Sequence, residues 1–385
     1  MQGKVAIPEE IRTHRFPEFD SLRGLAALTV VLHHILGLWE GSQAQWWIRA
    51  SPAAILVNGT SAVTVFFVLS GFVLTIPYKR KRAPVYGLYL LKRFCRIYLP
   101  YAGSLLLVLL TLKIVRTPVY MGNLQYDLTW NSGINWYLVK QHLGALGNFN
   151  VEAYNPPYWT LVLEMRMSLV MPVIAFLALR SRFFPGCCFA LATNFAVWYL
   201  KPFFRHGMPL QIIDLGCLFY IGSLLAANFD SVATLYRQAS HWIRRLLLVL
   251  AMIAYGGLGF RSLGIPPVGT MLLGFASLVM LLAASQNLKI RHFLHLPAVL
   301  RLGEISYSIY LVHMIVILAF VHTFWGRASL LPLVPVIIVA TYLLAEAFHW
   351  AVELPAIRLG RHVERYFAPR SRLAAPATNF DIDTV

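Results

Sequence analysis

The sequence predicts an all-α polytopic membrane protein with about ten transmembrane helices and both termini in the cytoplasm, and three observations predict it. Hydrophobic residues fill 58% of the 385 positions and charged residues 13%, with a mean hydropathy of +0.63. A soluble domain of this length would need far more charge to cover its surface. Apolar stretches of about 20 residues recur from end to end, each long enough to cross a bilayer core. The basic residues fall in short clusters between these stretches, not on one face or arm. The net charge of +17 therefore argues for membrane topology and membrane lipid as a partner, and against nucleic acid.

Residues 1–20 are polar and include Glu9, Glu10, Arg12, Arg15, Glu18 and Asp20. No cleavable leader is expected, and the first apolar run is read as a span. Spans are predicted near 22–39, 61–78, 98–115, 158–179, 183–200, 211–228, 246–260, 268–285, 305–325 and 331–350, of which the seventh is the shortest. The longest connection, 116–157, is polar and aromatic, with Trp130, Asn131, Trp136, Asn148 and Asn155. It is expected to fold over one mouth of the protein. No repeat or soluble domain is evident, so 1–360 reads as one membrane-embedded domain and 361–385 as a short cytoplasmic tail. Cys95, Cys187, Cys188 and Cys217 lack the spacing of a metal site or disulfide framework. No bound metal or cofactor is expected.

Lysine and arginine test the map. Alternate segments hold 24 of them, grouped at Lys4 to Arg23, Lys79 to Arg96, Arg180 and Arg182, Arg237 to Arg245, Lys289 to Arg301, and Arg358 to Arg372. The intervening segments hold seven, namely Arg49, Arg116, Lys140, Lys201, Arg205, Arg261 and Arg327. Such an asymmetry puts the first set and both termini inside. An invented or missed span would mix the sets, so the even count is favoured as well.

A charged side chain at mid-membrane costs at least about 2.5 kcal/mol, so each ionisable group within a span asks for a reason. Arg23 and His34 are eleven positions apart. That rotation, about 1100°, returns to nearly the same face, with a rise of roughly 16 Å. His33 points about 100° away. Glu164 and Arg166 diverge by about 200° and cannot pair with each other, so each needs a partner elsewhere. Glu164 is placed in the outer part of the membrane, either as a functional carboxylate or in a structural ion pair. The ninth span carries Ser306, Tyr307, Ser308, Tyr310 and, about 10 Å above Ser306, His313. Its hydroxyls serve a site or join helices by hydrogen bonds. Glu346 and Glu353 are seven apart and are expected to share a face. Glu353 is either a site residue or an interfacial carboxylate paired with Arg358. Lys79-Arg80-Lys81-Arg82 reads as anchoring to anionic lipid. Arg93 and Arg96, at i and i+3, set two guanidinium forks on one helix face, suited either to a phosphate-rich ligand or to lipid.

Several of these segments also resemble those of one family. Phe19-Asp20-Ser21-Leu22-Arg23-Gly24-Leu25-Ala26-Ala27, followed by His34, is similar to the opening signature of the integral-membrane acyltransferase-3 family, with its Arg-x10-His pattern. Phe66 to Leu74, the Arg93-x-x-Arg96 pair, Trp159 to Glu164, Ser306 to His313 and Glu353-Leu354-Pro355 match in order, over about 16–360. One segment departs: Thr160 stands where the family usually has Ser, and Met165-Arg166 follow Glu164 where a polar or aromatic residue is usual. The resemblance implies a ten-helix enzyme that moves an acyl group, commonly acetyl from acetyl-CoA, onto a hydroxyl of a carbohydrate or related acceptor. It implies that Arg23 and His34 are essential and that Arg93 and Arg96 bind the donor. Some relatives add an extracytoplasmic esterase-like domain, which is not expected here.

The expected function is thus acyl transfer from acyl-CoA, a co-substrate, to a carbohydrate or lipid-linked acceptor at a bacterial inner membrane. His34, Arg23, Glu164 and His313 are the catalytic candidates, Arg93 and Arg96 the donor-binding ones, and Asp20, Ser306, Tyr307 and Glu353 further candidates. His34 would serve as general base or as transient acyl carrier, both of which need the neutral imidazole. Glu164 or His313 would orient it. The rival class is a proton-coupled transporter or flippase, which also uses buried His and Glu; the lack of a repeat counts against it.

Overall fold

The computed structural model describes residues 16–80, 83–115, 118–122, 126–127, 129–131, 133–144, 150, 152–203, 208–257 and 266–367. Among the described residues every regular element is a helix, as expected where lipid offers no partner for a free backbone group. Lys4, Arg12, Arg15, Lys81, Arg82, Arg116, Asn148, Arg205, Arg261, 258–260 and 368–385, all used in reading the sequence, lie outside the described residues.

Among the described residues, eight helices are long and apolar enough to cross a membrane: Pro17–Gly37, Gly59–Lys79, Tyr86–Ile114, Tyr158–Arg180, Phe183–Phe203, Pro267–Gln286, Ser306–Phe324 and Leu331–Phe367. Ile212–Ala227 and Phe229–Gln238, bent by 77°, make a ninth if they count as one span. The predicted seventh run falls on His241–Gly257, a helix of 17 described residues. The protein is a multi-pass membrane protein of helices.

We number the elements used below as α1 (Pro17–Gly37), α2 (Gly59–Lys79), α3 (Tyr86–Arg93), α4 (Leu99–Ile114), α5 (Trp136–Gly144), α6 (Tyr158–Arg180), α7 (Met208–Ala227), α8 (Phe229–Gln238), α9 (His241–Gly257), α10 (Pro297–Glu304), α11 (Ser306–Phe324), α12 (Val334–Phe348) and α13 (Leu354–Phe367). Two π-helical turns, Phe94–Tyr98 and His349–Glu353, join α3 to α4 and α12 to α13. The helix of the third span begins at Tyr86, well before the predicted 98, and Arg93 and Arg96 sit within its 29 residues. The dense charge of Lys92-Arg93-Phe94-Cys95-Arg96 ends the apolar run in sequence, while in space only Arg93 of the three is sheltered, its side chain 12% exposed.

Small residues let the helices meet at the backbone. A Cβ on Gly71 of α2 would lie 2.0 Å from the Phe219 carbonyl oxygen, and one on Gly222 of α7 would lie 1.9 Å from that of Val68. Gly24 of α1 and Gly303 of α10 touch likewise, with 2.5 Å from a Gly24 Cβ to the Gly303 nitrogen. The most buried of the eight spans is Ser306–Phe324, so α11 forms the centre of the bundle, against α1, α4 and α12.

Candidate active site

The site is built along α1 and α11, with α3, its π turn and α6 supplying further groups. α1 opens on Pro17, whose missing N–H and fixed φ suit a first helical position. One turn on, Arg23 donates to Asp20 at 2.8 Å. The backbone contact of Gly24 with Gly303 fixes this end of α1 against α10, and a 2.6 Å bond from Ser21 to the Leu294 carbonyl ties it to the preceding helix, Leu288–Leu294. Only glycine admits such an approach next to the arginine.

Arg93 reaches across to α6, where it pairs with Glu164 at 2.6 Å and donates to Ser168 at 3.0 Å. Ser168 in turn donates to the Glu164 carbonyl at 2.8 Å. Glu164 had been expected on the outer side and Arg93 in the cytoplasm, yet the two side chains meet. Arg96, one π turn on, is exposed and makes no ion pair among the described residues. The wider turn also takes it off the face that an α-helical i, i+3 spacing would share with Arg93. Arg23 is within electrostatic reach of Arg93, Arg96 and Glu164. Tyr307 donates to the Ile97 carbonyl at 2.9 Å and lies within reach of Glu164, Glu353, Arg93 and Arg96. Five of the predicted residues thus gather at one level: Arg23, Arg93, Arg96, Glu164 and Tyr307.

Ser306 is buried and donates to the Gly303 carbonyl at 2.8 Å, a bond that closes the start of α11. Glu353 is also buried, and its partners are Ser308 at 2.6 Å and His349 at 2.9 Å. It is not paired with Arg358. Glu346 is held instead by both arms of Arg301 and by Tyr342. The π turn between the two glutamates rotates them apart, so the shared face expected from their spacing is lost.

Further along α1 and α11, His34 and His313 lie with ring centroids 5.3 Å apart. His313 is fully buried, and its Nδ1 is 3.0 Å from the Ile309 carbonyl. A carbonyl only accepts, so Nδ1 carries the proton and Nε2 keeps its lone pair. That Nε2 is buried without a hydrogen-bond partner among the described residues. His34 is partly exposed, and its ring makes no hydrogen bond among the described residues. His33 turns away to the Val57 carbonyl at 3.0 Å. Of the two groups expected to orient His34, His313 is adjacent, whereas Glu164 is committed to Arg93.

Between the arginines and the histidines stands a hydroxyl pair the sequence did not assign. Thr160 donates to the Pro157 carbonyl at 2.9 Å, so Tyr310 donates to Thr160 across 2.7 Å. Threonine at 160 supplies the hydroxyl that serine would. Ser168 and His349 were also missed, though each lies four residues from its carboxylate and so on the same helix face. From the long connection, Tyr126 donates to the His34 carbonyl at 2.5 Å and Asn155 to that of Leu311 at 2.9 Å. Trp130, held at a φ of +71°, donates to the Tyr154 carbonyl at 2.8 Å. Tyr126 and Asn155 of this connection thus lie by the histidine end, whereas its helix α5 reaches Tyr98 and Tyr101 at the start of α4, which bond Leu143 and His142 at 2.6 and 2.8 Å.

The family model for an acyltransferase domain, acyltransferase-3, matches residues 16–350. Among curated proteins, the chain is 24% identical to the O-acetyltransferase OatA of Staphylococcus aureus over 376 residues, 89% of this chain and 57% of OatA. It thus spans a little over half the length of that relative. It is also 24% identical to the acyltransferase MdmB of Streptomyces mycarofaciens (90% of this chain, 93% of MdmB) and 25% identical to nodulation protein 10 of Rhizobium leguminosarum bv. viciae (89% and 93%). No solved structure matches. Every one of the charged residues and histidines that meet along α1 and α11 falls within the matched range or just beyond its end, and the chain belongs to the acyltransferase-3 family.

Proposed function

We propose that the protein transfers an acyl group, acetyl in the first instance, from acyl-CoA to a hydroxyl of a carbohydrate or lipid-linked acceptor of the cell envelope. It does so as a ten-span protein of the bacterial inner membrane with a cytoplasmic N-terminus. The observation that carries the reading is the layout of α1. Arg23, beside the uncompensated Arg96, stands at one end, and His34, beside the free lone pair of His313, stands toward the other. A cytoplasmic CoA brings several phosphate charges on a narrow thioester-bearing arm. Arginine forks suit the phosphates, and a passage between helices suits the arm. The name of OatA, an O-acetyltransferase, supports the choice of acetyl and of an oxygen acceptor.

In the proposed reaction His34 takes the proton of the acceptor hydroxyl as its oxygen attacks the thioester carbonyl. The C–S bond breaks, and the departing CoA sulfur recovers that proton from the imidazolium. His313 accepts a hydrogen bond at Nε2, which holds the His34 ring or the acceptor in line. Arg23, positioned by Asp20, and Arg96 hold the donor, while Arg93, Glu164 and Tyr307 shape the passage between them. Glu353, through Ser308, and Ser306 position the start of α11.

The test is transfer of labelled acetyl from acetyl-CoA in membranes holding equal amounts of wild type or His34→Ala. A loss of about a hundredfold or more is expected for a general base, with free CoA released in step by the wild type. Equal labelling by the two proteins would remove His34 from the mechanism. Movement of an acceptor across the membrane without CoA release would show a carrier instead.

A further inference from the structure

Helix α13 carries a group of cations that the reaction does not use. Ala356 and Gly360 form its inner face. Both are buried, and a Cβ on Gly360 would stand 3.2 Å from that of Cys95. An ion pair of 2.7 Å between Glu364 and Lys92 ties the helix to the end of α3. At 100° per residue, Arg358, Arg361, His362 and Arg365 fall within about 100° of arc opposite that inner face. With Leu359 they line one shallow depression on the surface.

Nothing among the described residues balances this ridge. None of the four makes an ion pair among the described residues. The nearby carboxylates are already engaged: Glu364 with Lys92, Glu346 with Arg301, and Glu353 with Ser308 and His349. Like charges on neighbouring turns repel, so the ridge is favourable only with anions against it. Beside it, Leu359 and Tyr366 are 48% and 78% exposed. Apolar side chains flanking a basic face are the pattern of a helix lying in the headgroup layer, where each basic residue contributes about 1 kcal/mol toward anionic lipid. The ridge also faces away from Cys95 and Lys92, and so away from the helix that bears Arg93 and Arg96. A bound donor reaching those arginines would lie on the far side of α13.

We infer that Arg358, Arg361, His362 and Arg365 bind the phosphate headgroups of anionic phospholipids, and that this contact seats α13 on the membrane surface. The inference goes beyond acyl transfer and does not depend on it.

The test titrates the detergent-solubilised protein with fluorescent phosphatidylglycerol and with phosphatidylcholine of the same chains. Wild type should prefer phosphatidylglycerol by about tenfold or more. The variant Arg358→Gln/Arg361→Gln/Arg365→Gln should lose that preference, and Arg327→Gln, just past the far end of α11, should keep it. Arg361→Gln alone, should the triple variant not fold, is expected to lose part of the preference. Equal affinity of wild type for the two lipids would overturn the inference, as would a preference that survives the substitutions. Displacement of phosphatidylglycerol by adenosine 3′,5′-bisphosphate, beyond that by salt of equal ionic strength, would overturn it as well, because the ridge would then be a site for a soluble phosphate.

Discussion

Removing the carboxylate of Glu164 would leave Arg93 without its counter-charge on a side chain only 12% exposed, whereas Arg96 has no such partner among the described residues. Breaking a buried pair costs about 3–5 kcal/mol, and partial exposure here lowers that to about 2 kcal/mol. Glu164→Gln should therefore lower the stability of the purified protein by about that amount. Arg93→Gln/Glu164→Gln should be less destabilised than the two single variants combined, with a coupling above about 1 kcal/mol in thermal unfolding. Arg96→Gln should leave stability unchanged and raise the KM for acetyl-CoA more than it lowers kcat. If Arg96→Gln unfolds the protein, or if the cycle shows no coupling, the division of labour between the two arginines is wrong. The sequence marked Glu164 and both histidines as groups that need a reason to be in a membrane, and it placed both arginines in a cytoplasmic segment suited to a phosphate-rich ligand. It did not show their partners, because Arg93 and Glu164 are 71 positions apart and no periodicity within one helix reports a contact with another. The pairing of His34 with His313 was open for the same reason, until α1 and α11 were seen side by side.

At the scale of elements, glycines and π turns decide where charged groups lie. Gly24 and Gly71 sit in two of the segments by which the family resemblance was noticed, but a motif does not say why glycine is needed. The backbone contacts do. An added methyl at Gly71 or Gly222 would meet a carbonyl oxygen of the facing helix at 2.0 or 1.9 Å, and a backbone carbonyl cannot swing aside as a side chain can. Overpacking commonly costs about 1–3 kcal/mol, and these contacts should reach the upper end. Gly71→Ala and Gly222→Ala are expected to lower the yield of monodisperse protein in detergent and its melting temperature. Gly87→Ala and Gly257→Ala, with open space around the added methyl, should melt as the wild type does. Normal behaviour of Gly222→Ala would mean that α2 and α7 do not pack as closely as described. The π turns were not legible at all. Their extra residue per turn leaves no mark in hydropathy, and they account for both the early start of the third span and the separation of Glu346 from Glu353.

For the whole molecule, the number and direction of crossings can be argued from which ends of helices touch. α2 begins at Gly59 and ends at Lys79, so its two ends mark opposite faces of the membrane. Lys79 pairs with Asp230, at the start of α8, at 2.7 Å. Asn58, just before α2, donates to the Tyr255 carbonyl near the end of α9 at 2.8 Å. The chain between Asp230 and Tyr255 must therefore pass from one face to the other, and α9 is the helix that joins them. In the proposed ten-span scheme α7 crosses before it, and α8 lies along the surface rather than extending α7. Gly303 against Asp20 adds that α1 and α11 start on the same face, which requires an even number of crossings between those two starts. These contacts support ten spans, and the excess of Lys and Arg supports placing the Lys79 face inside. Single cysteines in a protein whose own four cysteines are replaced by serine would test both points. A membrane-impermeant thiol reagent should label Ala44→Cys and Ala328→Cys on intact cells, and Ser240→Cys only after permeabilisation. Labelling of Ser240→Cys from outside with Ala44→Cys protected would reverse the orientation. Labelling of both from outside would break the ten-span scheme, and with it the placing of Arg23 and Arg96 on the side where CoA is found.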